Sequence, residues 1–157
     1  MHRAYLAAAV ALLPGSLLAQ AAGAGRPGPR KLLDREAEIG LARSAAPPSI
    51  SAAARVYVWS DTGFVVAVAG SSGVACLVNR SWPESVEPEC FDDEAAATIM
   101  AMEMVRTLRL HQGMAAARVE QEIATGLTEG RFRLPARPAV VYMMSSGQRL
   151  IGDDGRL

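Results

Sequence analysis

A chain of 157 residues, half of them apolar and a fifth charged, is sized for one domain with one core and is not composed like a disordered tail. Sixteen basic groups balance sixteen acidic ones, which excludes a global field that would steer the protein to nucleic acid or an anionic membrane. Two histidines and two cysteines exclude a histidine-rich metal centre in one chain and a zinc site built from cysteines alone.

The first residues read as an export signal. Arg3 gives a positive start, residues 6–13 form an apolar run closed by Pro14 and Gly15, and Ala19-Gln20-Ala21 has the small-x-small pattern that signal peptidase accepts. Residues 1–21 are therefore expected to leave, and no stable membrane insertion is expected afterwards, because no other apolar run reaches the ~20 residues a span needs. All basic residues but Lys31 are arginines and alanine is abundant, a bias that points to high-GC bacterial coding. Together these features place the protein in the periplasm or outside the cell.

Residues 22–29, AGAGRPGP, lack apolar periodicity and read as a flexible leader. A first helix is expected from Arg30 to about Arg43, with Leu32, Leu33, Ala37, Gly40 and Leu41 as its apolar stripe, before Pro47-Pro48 stops it. Residues 56–59, 64–68 and 74–78 are β-prone and separated by SDTG and AGSSG, so turn chemistry predicts an antiparallel meander. Gly70 to Gly73 reads as its second hairpin turn, because GSSG lacks the G-x-S-x-G pattern of a nucleophile elbow.

The stretch NRSWPESVEPE reads as a proline-marked loop, and its sequon Asn79-Arg80-Ser81 carries no weight in a bacterial protein. Asp92 or Asp93 caps a helix reaching about His111, a second helix spans 115–129 with Val119, Ile123 and Leu127 on one face, and 139–144 forms a last strand. The expected fold is α+β: a short antiparallel sheet, a three-strand meander plus a later strand, packed with about three helices in a single domain over residues 30–157. The ending GDDGRL turns without room for a returning strand, so the sequence predicts an incomplete copy of the domain or an unfinished hairpin.

Cys76 and Cys90 are expected to form a disulfide, as an even count in an oxidising compartment implies. The methionines of IMAMEM, residues 99–104, suggest a soft-metal site only if the segment is extended. On a helix Met100 and Met104 turn inward with Ala97, Ala101, Val105 and Leu108, Met102 falls among the arginines, and His111 is about three turns along, so core filling is the expectation and no metal or cofactor is assigned.

Little catalytic chemistry remains. Asp61, Asp92, Asp93, Glu94, Asp153 and Asp154 can supply an acid/base pair, but their spacing selects none and capping or turns explain them. Arg131, Arg133 and Arg137 form the densest basic segment and, in an extended chain, point the same way, so they are the candidate ligand-binding residues; a charge-protected edge strand explains them equally. The expectation is an exported domain that binds a ligand or protein partner without turning it over. The alternative is a secreted hydrolase using paired carboxylates.

Overall fold

A computed structural model of the chain describes residues 33–81 and 85–149. The expected signal, the leader and the terminal turn lie outside the described residues.

Helix α1, Arg35–Arg43, begins where the Asp34 carboxylate accepts the Ala37 N–H at 2.9 Å, five residues later than expected. That cap fixes a different buried stripe. Glu38, Ile39 and Ala42 face inward, while Leu33 precedes the helix and Ala37 and Gly40 are exposed. A short turn of helix, α2, Pro48–Ser51, opens on the prolines, whose missing N–H groups cost nothing at a first turn.

Among the described residues five strands form one mixed sheet in the order β2-β1-β3-β4-β5: β1 is Arg55–Ser60, β2 Gly63–Val68, β3 Ala75–Asn79, β4 Glu87–Phe91 and β5 Val141–Tyr142. The expected meander is not formed. Strand β2 pairs antiparallel with β1, but the chain then crosses the start of β1 and lays β3 along its other side, parallel, with Arg55 opposite Ala75 and Val56 opposite Cys76. The connection is held to the start of β1 by the Ser71 N–H on the Ala53 carbonyl at 2.8 Å and the Arg55 N–H on that of Val74 at 2.9 Å. Turn residues signal a reversal but not which side of the neighbouring strand the chain takes.

The proline-marked stretch hides β4, whose five residues are all buried. Cys76 and Cys90 are directly opposed with Cα atoms 4.1 Å apart, the closer of the two kinds of antiparallel pair, in which backbone groups point away from the partner strand. Pro88 lies two residues before Cys90 and shares its orientation, so its nitrogen faces away from β3, beside a stretch where β5 does not run. A proline is tolerated there because β3 asks it for no hydrogen.

One face of the sheet packs on α1: Val56, Val58, Cys76, Val78 and Cys90 meet Ile39, Ala42, Ala45 and Ala46. The other face, with Ala75, Leu77 and Phe91, meets Ala95, Met100 and, at its edge, Met104. The single helix expected up to His111 is two helices, α3, Asp93–Ala97, and α4, Ile99–His111, broken at the non-helical Thr98, whose hydroxyl bonds the Glu94 carbonyl at 2.6 Å. Met100 is buried, whereas Met102 and Met104 are both half-buried, because the sheet-facing line of α4 runs through Met100, Glu103 and Thr107 and not through Val105 and Leu108. Helix α5, Ala116–Thr128, buries Val119 and Ile123 as expected and ends before Gly130. Among the described residues, no helix is long and apolar enough to cross a membrane.

Candidate functional site

Two places on the α4 face of the sheet gather polar side chains. The first is a cleft of about 450 Å³, inside the roughly 300–1,000 Å³ range of ligand sites, between the loop at residues 70–73 and the α3–α4 junction. Arg55, Tyr57, Ser71 and Asp93 supply its polar groups, and Ala75, Ala96, Ala97 and Met100 its apolar wall.

The loop exists in this form because of Gly70, which has φ +66° and lies so close to β1 that an added Cβ would stand 2.1 Å from the Arg55 nitrogen. Arg55 is exposed, and its Nε donates to the Ala69 carbonyl at 3.1 Å. Among the described residues its two terminal nitrogens have no partner. Asp93 is the cleft's carboxylate, and a hydrogen bond from Arg137 at 2.7 Å holds its pKa below the usual aspartate value.

The second place is at the far end of the same face, under α4. Glu89 lies opposite Leu77, its carboxylate oxygen 3.4 Å from the Asn79 carboxamide nitrogen, which also reaches Glu103 of α4 at 3.3 Å. The Thr107 hydroxyl donates to the Asn79 side-chain Oδ1 at 3.0 Å, and the Ser81 hydroxyl donates to the same atom at 2.6 Å. Burial, then the charges of Glu103 and Glu87, push the Glu89 carboxyl up to about 8. Glu103 is in turn ion-paired to Arg106, which also binds Glu120 of α5.

Of the expected ligand-binding arginines, Arg133 and Arg137 meet at Glu94, while Arg131 is drawn away by Glu129. Arg131 pairs with Glu129, Arg133 with Glu94, and Arg137 with both Asp93 and Glu94. The segment that carries them is irregular, not an extended strand, and the last strand shrinks from 139–144 to β5. Of the three, only Arg137 comes to the cleft, through Asp93. Its guanidinium and that of Arg133 fasten the segment to α3, and the Ala136 and Val140 N–H groups help by donating to Glu94 and Asp92.

Sequence reasoning missed Arg55, Tyr57, Glu89 and Glu103. Arg55 and Tyr57 had a usable signal, the alternation of β1, but the loop that meets them comes from a crossover that no local pattern announces. Glu89 was hidden in a segment read as a loop. Asn79, the sequon residue, is buried with its carboxamide engaged. Among the described residues no group of three or more histidine, cysteine, aspartate or glutamate side chains is arranged to hold a metal ion.

The chain matches no protein-family model, no curated protein and no solved structure.

Proposed function

We propose that this is an exported, disulfide-bridged binding domain whose ligand, a small molecule with an anionic group and a short apolar body, sits in the cleft between the 70–73 loop and the α3–α4 junction. The observation that carries this reading is the exposed Arg55 guanidinium, with its terminal nitrogens unengaged among the described residues, facing the same space as an apolar wall of Ala75, Ala97 and Met100. A guanidinium gives a carboxylate or phosphate two parallel hydrogen bonds, and the wall takes up what is attached to it. Arg137 adds positive charge at the rim while neutralising Asp93. Arg133 serves the same site from further off, by holding the 131–140 segment to α3 through Glu94, whereas Arg131 pairs with its neighbour Glu129. Periplasmic or extracellular location follows from the signal-like start and agrees with the disulfide.

The experiment is a titration of the mature protein with hexanoate and phenyl phosphate, followed by backbone-amide NMR shifts. Shifts confined to residues 69–75 and 93–100, weakened about tenfold or more in Arg55→Ala, are expected. Binding elsewhere, or binding indifferent to Arg55→Ala, refutes the cleft.

The hydrolase alternative has one observation in its favour, a buried Glu89 carboxyl pushed up to about 8, as a general acid needs. Against it, Glu89 is buried beneath α4, and neither it nor Glu103 lines the cleft. Turnover of model glycosides or esters that disappears in Glu89→Gln would decide for it.

A further inference from the structure

The polar groups of the cleft are not equally open. Arg55, Ser71 and Asp93 are exposed, whereas Tyr57 is half-buried. Arg55 and Tyr57 are two residues apart on β1, so both side chains leave the same face of the strand, with their bases about 7 Å apart at ~3.4 Å per residue. The Arg55 end is polar: Gly70 presses on the Arg55 backbone and brings Ser71 beside it, and Gly73 stands next to the Asp93 Cβ. The Tyr57 end is apolar. Its ring packs against the cluster of Ala75, Leu77, Phe91, Ala95 and Met100, of which Ala75 and Met100 also line the cleft.

The Tyr57 hydroxyl makes a demand on whatever fills the cleft. Among the described residues it has no hydrogen-bond partner. Solvent serves such a group while the cleft is open, but a ligand body that reaches Ala75 and Met100 displaces that solvent and leaves the hydroxyl either bonded to the ligand or unmet. A hydrocarbon body takes the second course and loses affinity by it. A body with an oxygen at the right place takes the first, and a site that offers an O–H discriminates against the analogue lacking the acceptor. Arg55, Ser71 and Asp93 impose no such choice, because exposed groups at the mouth stay solvated beside a bound ligand.

We propose that Tyr57 sets the specificity of the cleft and that the ligand is a short oxo acid, whose anionic group lies on Arg55 and whose carbonyl oxygen, about 7 Å away, accepts the Tyr57 O–H. The assignment rests on the cleft reading and names the ligand class within it. The two protein groups divide the work: Arg55 holds any anion of suitable size, and Tyr57 selects among the bodies attached to it. In extended 5-oxohexanoate the carboxylate and the carbonyl are separated by a distance of this order, so one small probe spans both groups.

The test compares 5-oxohexanoate with hexanoate, both ionised at neutral pH and alike but for a carbonyl in place of one methylene, by amide-shift titration of the mature protein and of Tyr57→Phe and Arg55→Ala. In the parent protein 5-oxohexanoate is expected to bind about fivefold tighter or more. Tyr57→Phe keeps the ring and its packing, so the preference should disappear, with 5-oxohexanoate weakened and hexanoate unchanged or tighter. Arg55→Ala should weaken both acids by a similar factor, about tenfold or more. If the parent binds 5-oxohexanoate no more tightly than hexanoate, or if the preference persists in Tyr57→Phe, the assignment of Tyr57 is overturned, while hexanoate binding that depends on Arg55 leaves the cleft reading standing. Failure of both acids to bind refutes the cleft reading and this inference with it.

Discussion

Glu38 of α1 and Arg80, the residue after β3, form an enclosed ion pair: Oε1 and Nη2 are 3.1 Å apart and the side chains are 1% and 3% exposed. The same carboxylate oxygen accepts the Trp59 N–H at 2.9 Å, so one acid ties α1 to β1 and to the end of β3. Losing one partner strands the other charge away from water, at a cost of about 3–5 kcal/mol. Arg80→Ala and Glu38→Ala should each lower the urea unfolding free energy by roughly that amount. The Glu38→Met/Arg80→Met double variant should lose less than either single variant, since it leaves no orphaned charge. A loss below ~1 kcal/mol in Arg80→Ala would mean that the pair contributes no more than a surface bridge.

The disulfide links β3 to β4 across residues 76 and 90, and both sulfurs are fully buried against α1, with Cys90 Sγ 3.5 Å from the Ala42 carbonyl oxygen. A loop of this length contributes about 3 kcal/mol through the entropy of the unfolded chain. Cys76→Ala/Cys90→Ala should therefore fold with stability reduced by roughly that much. Peptide mapping of the native protein without reduction should recover the linked pair, and two alkylatable thiols would contradict it.

What could be read from the sequence was local and apolar. The first three strands, α5 and the cysteine pair follow from alternation, helical spacing and redox logic, and each is present within a residue or two. What could not be read was held by polar groups at long range. Glu38 meets Arg80 42 positions on, a pairing that no local pattern announces. Pro88 disguised a buried strand because its fault as a strand residue depends on which side its nitrogen faces. Glu103 and Thr107 turned α4 by a fraction of a turn from its expected face, since a buried carboxylate cluster can outbid an apolar stripe when hydrogen bonds satisfy it. The cleft was illegible for the same reason as the sheet order: both depend on the crossing of β1 by residues 69–74.

Gly70 tests that crossing. A methyl group there would overlap the backbone of Ala54 and Arg55, at 2.6 Å and 2.1 Å from the nearest atoms, and the φ of +66° adds strain for any other residue. The neighbour is backbone, so nothing flexible can yield. Gly70→Ala should cost about 2 kcal/mol or more, the range for strained backbone with a steric clash, and should disturb the amides of Arg55 and Ser71 first. Gly130→Ala is the control: its φ is +76° but nothing lies within 4 Å of an added Cβ, so only the conformational cost of about 1 kcal/mol remains. Equal losses in the two variants would remove the close approach from the explanation.

Glu89 gives stability a pH dependence of unusual sign. Its carboxyl titrates near 4.5 when unfolded and near 8 in the fold, so between those values the folded protein holds one more proton than the unfolded chain. Stability from this group is therefore greatest below about pH 4.5, falls as pH rises through the window, and levels off above 8. The slope approaches ~1.4 kcal/mol per pH unit, a total on the order of several kcal/mol. Asp93, Glu94, Glu120 and Glu122 act oppositely: their hydrogen bonds to Arg137, Arg133, Arg106 and Arg109 depress their pKa values, and their stabilisation is lost as the solution becomes more acidic. The two trends cross in mild acid, where the parent protein should be most stable. Glu89→Gln keeps the shape and the Asn79 contact without a proton to lose, so its stability should hold from about pH 5 to 8 and exceed that of the parent increasingly toward the alkaline end. Urea unfolding of both proteins at about pH 5, 6.5 and 8 reads the difference directly. Parallel pH profiles would show that Glu89 does not carry the extra proton.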